Sequence, residues 1–132
     1  MIIVTGAAGF IASVVAKTLN QEGRNDLVMV DDFSKPGKTN NHEHIRCKAR
    51  IERASFPKWL DQHHDEVECV IHLGARTDTT ETDHQVFQAL NIDYTLSIWK
   101  LCTAYRIPLI YASSAATYGS GERGYTDRHD IV

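Results

Sequence analysis

Apolar residues fall along this chain in two rhythms. Ile2-Ile3-Val4, Leu27-Val28-Met29-Val30, Val67 to Leu73 and Leu109-Ile110-Tyr111-Ala112 are short apolar runs. Runs of that kind suit strands buried on both faces of a parallel sheet. Between them the period lengthens. Ile11, Val14, Val15, Thr18 and Leu19 predict a helix over residues 10–22, with Gly23 as its stop. Phe56, Trp59 and Leu60 predict a second helix reaching His63. Val86, Leu90, Tyr94, Ile98, Leu101 and Cys102 step by threes and fours and predict a long helix over 82–105, closed by Pro108. Ser34 to Asn41, with Pro36 and Gly37, reads as a polar loop, and Ile45-Arg46-Cys47 as a short edge strand.

Strands alternating with helices predict an α/β fold: a doubly wound parallel sheet with helices on both faces. Right-handed crossovers leave few windings, and the simplest has five strands in the order 3-2-1-4-5. The 132 residues make one domain, without internal repeat or linker.

Composition narrows the partners. Hydrophobic residues make up 42% and charged residues 23%, and the formal charge is −3. That balance gives no reason to expect nucleic acid or an anionic membrane. No apolar run approaches the length of a membrane span, and no basic segment precedes the first one, so a cytoplasmic protein is expected. Cys47, Cys69 and Cys102 form no CxxC pair and read as reduced, mostly buried thiols. His42-Glu43-His44 lies in the polar loop and His63-His64 are adjacent, so neither presents the ligand spacing of a helical zinc site, and no metal is expected.

The stretch Gly6-Ala7-Ala8-Gly9-Phe10-Ile11-Ala12 carries the candidate chemistry. It follows a strand, opens a helix, and has the acidic pair Asp31-Asp32 one βαβ step later. That context is what a dinucleotide-binding turn requires. Gly6 can take the tight turn, and Gly9 lets main chain approach a pyrophosphate at the helix head. Ala12 stands where a third glycine is usual and adds one methyl group.

Asp31, ending the second strand, can accept from an adenosine ribose hydroxyl, which favours NAD. Lys35, Lys38 and Arg53 are cations that would attract a 2′-phosphate, so NAD and NADP both stay open. Leu73-Gly74-Ala75-Arg76-Thr77 closes the fourth strand with small residues over which a dinucleotide can lie. Asn91, a poor helix former inside the long helix, can steady the pocket from its far side. Ser114, after the fifth strand, falls where a nicotinamide would sit and can donate a hydrogen bond to a substrate oxygen.

Four stretches, "VTGAAGFIA", "DDFS", "IHLGARTDTTE" and "YASSAATYG", resemble the extended short-chain dehydrogenase/reductase superfamily, and within it the ADP-glyceromanno-heptose 6-epimerase family. The resemblance runs from Met1 to about Tyr125. It implies a Rossmann domain whose cofactor is held by Phe10, Ile11, Asp31, Asp32, Lys38, Arg53, Leu73 to Thr77 and Asn91. It implies NADP or NAD, with the balance toward NADP, and makes Ser114 the hydroxyl that works beside a catalytic tyrosine. The reaction it implies is epimerisation of a nucleotide sugar of lipopolysaccharide core synthesis, by transient oxidation at a sugar carbon and return of the hydride to the other face. It also implies a homo-oligomer.

The sequence departs from that pattern at a second place besides Ala12. The superfamily's Tyr-x-x-x-Lys couple is expected beyond Ser114, yet Tyr105, Tyr111, Tyr118 and Tyr125 are followed four residues on by Leu109, Ala115, Glu122 and His129. The chain therefore reads as the N-terminal, cofactor-binding portion of an epimerase, inactive alone, with an exposed edge at its fifth strand. Two other readings are a sister epimerase, dehydratase or reductase acting on another nucleotide sugar, and a non-catalytic dinucleotide-binding module.

Overall fold

The computed structural model describes residues 1–35, 37–74, 88–114, 118–122 and 124–126, with backbone alone at 88–90. Five parallel strands form one sheet: β1 (Ile2–Thr5), β2 (Leu27–Asp31), β3 (Ala49–Glu52), β4 (Cys69–His72) and β5 (Leu109–Tyr111). Their order is β3-β2-β1-β4-β5, the winding expected from the alternation of elements. Among the described residues the α-helices are α1 (Phe10–Gln21), a single turn α2 (Thr39–His42), α3 (Phe56–His63) and α4 (Tyr94–Ala104). Among the described residues no helix is long and apolar enough to cross a membrane.

The continuous apolar runs supply two cores at once, because successive side chains on a strand face opposite ways. Ile3, Val28, Val30 and Val70 point to one face and pack with Phe56 and Leu60 of α3 and with Ile98 and Cys102 of α4. Ile2, Val4, Leu27 and Met29 point to the other and pack with Ala12 and Ala16 of α1. α1 buries Ala12, Ser13, Ala16 and Asn20, small residues that let the helix axis come close to the sheet. The methyl of Ala12 is accommodated there, 2% exposed. α1 ends as its sequence implies: Gly23 adopts φ +85°, its N–H bonds to Asn20 O, and Arg24 N–H reaches back to Leu19 O.

The third strand is not Ile45-Arg46-Cys47 but Ala49–Glu52, paired from Val28↔Ala49 to Asp31↔Glu52. As an edge strand it alternates, with Ala49 and Ile51 turned inward and Arg50 and Glu52 outward. Ile45 is buried beneath α1 by a turn instead. The main chain of Arg46 is paired by a side chain: it donates to Asn20 Oδ1 at 2.8 Å, and Asn20 Nδ2 donates to Arg46 O at 2.9 Å and Arg24 O at 2.8 Å. An amide side chain thus takes the place of a neighbouring strand, and nothing in the local pattern of residues 45–47 marks it.

Three other boundaries differ. The polar loop after β2 contains the helical turn α2, and β4 is shorter than the apolar run 67–73. Of the helix expected over 82–105, residues 82–87 lie outside the described residues, Gln88–Asp93 is π-helical, and Tyr94–Ala104 is α-helical. Cys102 is buried, whereas Cys47 and Cys69 are only half-buried.

β5 lies at the sheet edge with Ile110 and Tyr111 exposed, and Leu96 and Trp99 of α4 are exposed as well. Trp99 and Tyr111 stand with ring centroids 6.1 Å apart.

Replacing Asn20 by alanine removes the three bonds that tie α1 to the chain at Arg24 and Arg46. Urea denaturation should show a loss of about 1–3 kcal/mol for Asn20→Ala, with the N-terminal end of α1 untouched.

Candidate functional site

Winding reverses between β1 and β4, which are neighbours in the sheet although α1, β2, α2, β3 and α3 intervene in sequence. In such a sheet a crevice opens beyond the C-terminal strand ends at that point. Gly6 leaves β1 there and Gly74 leaves β4. Their main chains touch: a Cβ on Gly6 would lie 2.7 Å from Gly74 Cα, and one on Gly74 would lie 3.0 Å from Gly6 N. Gly6 also has φ +69°, a left-handed conformation that side chains disfavour. Gly6 is therefore required by this contact, and a side chain at Gly74 would press on it from the other side.

Gly9 is the N-cap of α1, its N–H bonded to Gly6 O at 2.8 Å, and no side chain caps the helix. The N–H groups of Phe10, Ile11 and Ala12 in the first turn have no partner within the helix. They and the positive end of the helix dipole suit an anion, and a diphosphate fits a surface made of bare main chain. The side chains of Phe10 and Ile11 are exposed beside it.

Asp31 is committed to shaping this turn. Its Oδ2 accepts the Ala8 N–H at 2.8 Å and its Oδ1 accepts the Asp32 N–H at 2.7 Å. Ala7 N–H bonds to Val30 O, so β2 and the glycine turn are tied twice. The lone pairs that remain on Asp31 can still receive a ribose hydroxyl. Asp32 turns the other way and accepts from the Ser34 hydroxyl and main-chain N–H, which, with Lys35 and Arg53 nearby, lowers its pKa below the ordinary aspartate value.

Lys38 precedes α2 and is half-buried. Asn41 in that turn donates to Ala8 O at 3.0 Å, which fastens the loop after β2 to the glycine turn. Neither Ala8 nor Asn41 stood out in the sequence, since Ala8 acts through main-chain groups that any residue carries and the Asn41 amide acts on such a group. Arg53 begins the turn after β3, and its carbonyl accepts the Tyr94 hydroxyl at 3.1 Å. Burial pushes the Tyr94 phenol well above its ordinary pKa, so it stays a donor. Asn91 falls in the π-helical turn.

Leu73 packs into the α1-side core and Gly74 follows it at the crevice. Ala75, Arg76 and Thr77 lie outside the described residues. Ser114 is exposed three residues beyond β5, on the same strand-end edge as Gly6, Asp31, Arg53 and Gly74. The structure thus brings Gly6, Asp31, Arg53, Gly74 and Ser114 to one edge of the sheet.

The family model described as "NAD dependent epimerase/dehydratase family" matches residues 2–131. The ADP-L-glycero-D-manno-heptose-6-epimerase of Fusobacterium nucleatum is 43% identical over 129 residues, 96% of this chain and 39% of that protein. The Brachyspira hyodysenteriae protein of the same name is 39% identical, covering 96% of this chain and 41% of that protein. The chain therefore spans about two fifths of the length of these curated relatives. The crystal structure of the Helicobacter pylori ADP-L-glycero-D-manno-heptose-6-epimerase superimposes with TM-score 0.80 at 23% identity, over 99% of this chain and 44% of that one. The UDP-glucuronic acid 4-epimerase from Bacillus cereus in complex with NAD gives TM-score 0.72 at 27% identity, over 90% of this chain and 41% of that one.

A methyl group at position 6 must both enter the Gly74 main chain and hold a left-handed backbone. Gly6→Ala should lose about 2–4 kcal/mol of stability in denaturant titrations. It should also abolish any shift of the melting temperature by a dinucleotide.

Proposed function

The chain belongs to the NAD dependent epimerase/dehydratase family, and from that premise we propose that it is the dinucleotide-binding part of an NAD(P)-dependent nucleotide-sugar epimerase. The observation that carries this reading is the contact of Gly6 with Gly74 beside the uncapped head of α1. It leaves main chain alone where a pyrophosphate would rest. The 43% identity to an ADP-L-glycero-D-manno-heptose-6-epimerase supports a heptose linked to ADP as the substrate.

In this reading Gly6, Gly9 and the first-turn amides of Phe10 and Ile11 bind the diphosphate. Asp31 receives the adenosine ribose while holding Ala8 in place, and Leu73 to Thr77 and Asn91 border the nicotinamide half. A nicotinamide held there would supply the hydride acceptor and donor that oxidation and re-reduction at a sugar carbon require. Ser114 donates a hydrogen bond to the sugar oxygen and orients it for that exchange. Asp32, Lys38 and Arg53 face the ribose 2′ position. Asp32 repels a 2′-phosphate, and Lys38 and Arg53, with Lys35 close by, attract it; the proposed balance admits NADP as well as NAD.

A second reading rests on the similarity to UDP-glucuronic acid 4-epimerase, whose TM-score of 0.72 approaches that of the heptose enzyme. It makes the substrate a UDP-sugar and leaves the dinucleotide site unchanged. Ser114 has the same task in both.

Thermal unfolding with NAD and with NADP tests the cofactor. Either one at 100 times its dissociation constant should add about 2.7 kcal/mol of stability, and the difference between them measures the 2′-phosphate preference. No shift with either would remove the site. For the substrate, the full-length protein is offered ADP-heptose and UDP-glucuronate in separate epimerisation assays. Turnover of the UDP-sugar alone would favour the second reading.

A further inference from the structure

One buried imidazole has no part in the roles above. His72 is the last residue of β4, 4% exposed, in register with Thr5 on β1 and Tyr111 on β5. Its Nδ1 lies 2.6 Å from Thr5 Oγ1, and its Nε2 lies 3.0 Å from Thr95 Oγ1 on α4. Thr5 Oγ1 in turn accepts the Gly74 N–H at 3.2 Å. A main-chain N–H only donates, so the Thr5 oxygen is the acceptor in that bond. The arrangement that satisfies every group points the Thr5 hydroxyl hydrogen at Nδ1. The ring is then neutral and carries its one proton on Nε2, directed at Thr95.

This chain of bonds ends at the contact on which the cofactor crevice is built. Gly74 N–H is held by Thr5, and Gly74 Cα is the atom against which Gly6 packs. A second proton on His72 would turn both ring nitrogens into donors. The Thr5 hydroxyl would lose its acceptor and have to turn its hydrogen away from the ring, and the new Nδ1–H would share the Thr5 oxygen with the Gly74 N–H, displacing it from its present direction. We propose that His72 is a positioning residue for the dinucleotide: as a neutral acceptor it fixes Gly74 through Thr5, and its protonation loosens the crevice and releases the cofactor. The inference rests on the dinucleotide reading given above.

The surroundings favour the neutral ring. Burial lowers the His72 pKa below its ordinary value. Among the described residues, the titratable groups beside it are Tyr94 of α4, ring centroids 5.9 Å apart, and Tyr111, its register partner on β5. Tyr94 gives its hydroxyl hydrogen to Arg53 O, and the charged Asp31 and Arg53 act on Tyr94. Because the folded-state pKa is depressed, the unfolded chain takes up the proton first as pH falls. Stability is therefore full above about pH 6.5 and declines below it until the folded-state pKa is passed.

Binding of NADH and of NADPH to the intact protein, followed by fluorescence between about pH 5 and 8, tests the proposal in wild type, His72→Asn and His72→Leu. Asparagine places an amide oxygen near the Nδ1 position and does not titrate. Its dissociation constants should stay within about threefold of wild type at pH 8 and should lack the wild-type weakening at low pH. Leucine removes the acceptor and should weaken binding about tenfold at pH 8, the effect of one hydrogen bond. Comparing variants at each pH cancels the titration of NADPH itself. Nitrogen-15 spectra of the imidazole should report the Nε2–H form. A wild-type pH profile that persists in His72→Asn, or an Nδ1–H ring, overturns the proposal, and the first of these decides even if His72→Leu does not fold. If wild type binds neither nucleotide at any pH, the dinucleotide reading itself falls.

Discussion

Two stretches of main chain touching at one point organise this molecule. Gly6 and Gly74 meet where the winding of the sheet reverses, close enough that a methyl group on the former would collide with the latter. The parallel pairing of β1 with β4 brings the two glycines together, and their lack of side chains lets the strands' continuations cross. What results is a floor of peptide groups beside the unsatisfied amides at the head of α1. A side chain at Gly6 is excluded by that contact, and the helix head beside it carries the partial positive charge of its free amides.

Around this contact the side chains act on backbone more than on one another. Asp31 holds Ala8, Asn41 holds Ala8 from the opposite side, Thr5 holds Gly74, and Tyr94 holds Arg53. Each bond links one βα turn to a different element, so the turns cannot shift independently. Asn20 does the same at the far end of α1, where its amide pairs with Arg46 as a strand would. Polar side chains that would cost free energy if buried alone are here satisfied by main-chain groups that also need partners.

The two apolar layers explain why the site can be this open. Phe56, Leu60 and Ile98 on one face and Ala12, Ala16 and Met29 on the other are nearly or wholly removed from solvent. Burial of such side chains is the main favourable contribution to folding. The strand-end edge is thereby freed from holding the fold together. Its left-handed glycine and uncapped helix are local liabilities that the core beneath can carry. The chain spans about two fifths of the length of its two curated relatives, and it contains the strand-end turns at which main chain is left bare.

The sequence by itself determined what depends on residues close together along the chain. The apolar runs marked four strands, the three-and-four spacing marked α1, α3 and the later turns of α4, and the glycines with Asp31 marked the crevice. These signals are local: a strand shows its alternation and a helix its period within a few residues. Only the tertiary structure decided the third strand, since Ile45-Arg46-Cys47 and Ala49–Glu52 are comparable as edge strands until Val28 chooses one and Asn20 occupies the other. It alone showed that Asp31 serves the turn before any ligand, that Asn41 and Tyr94 act through carbonyls, and that His72 stands behind Gly74. Those partners lie from 23 residues apart in sequence, as with Ala8 and Asp31, to 69, as with Thr5 and Gly74. Hydrogen bonds to main chain leave no compositional trace, because every residue offers the same peptide group.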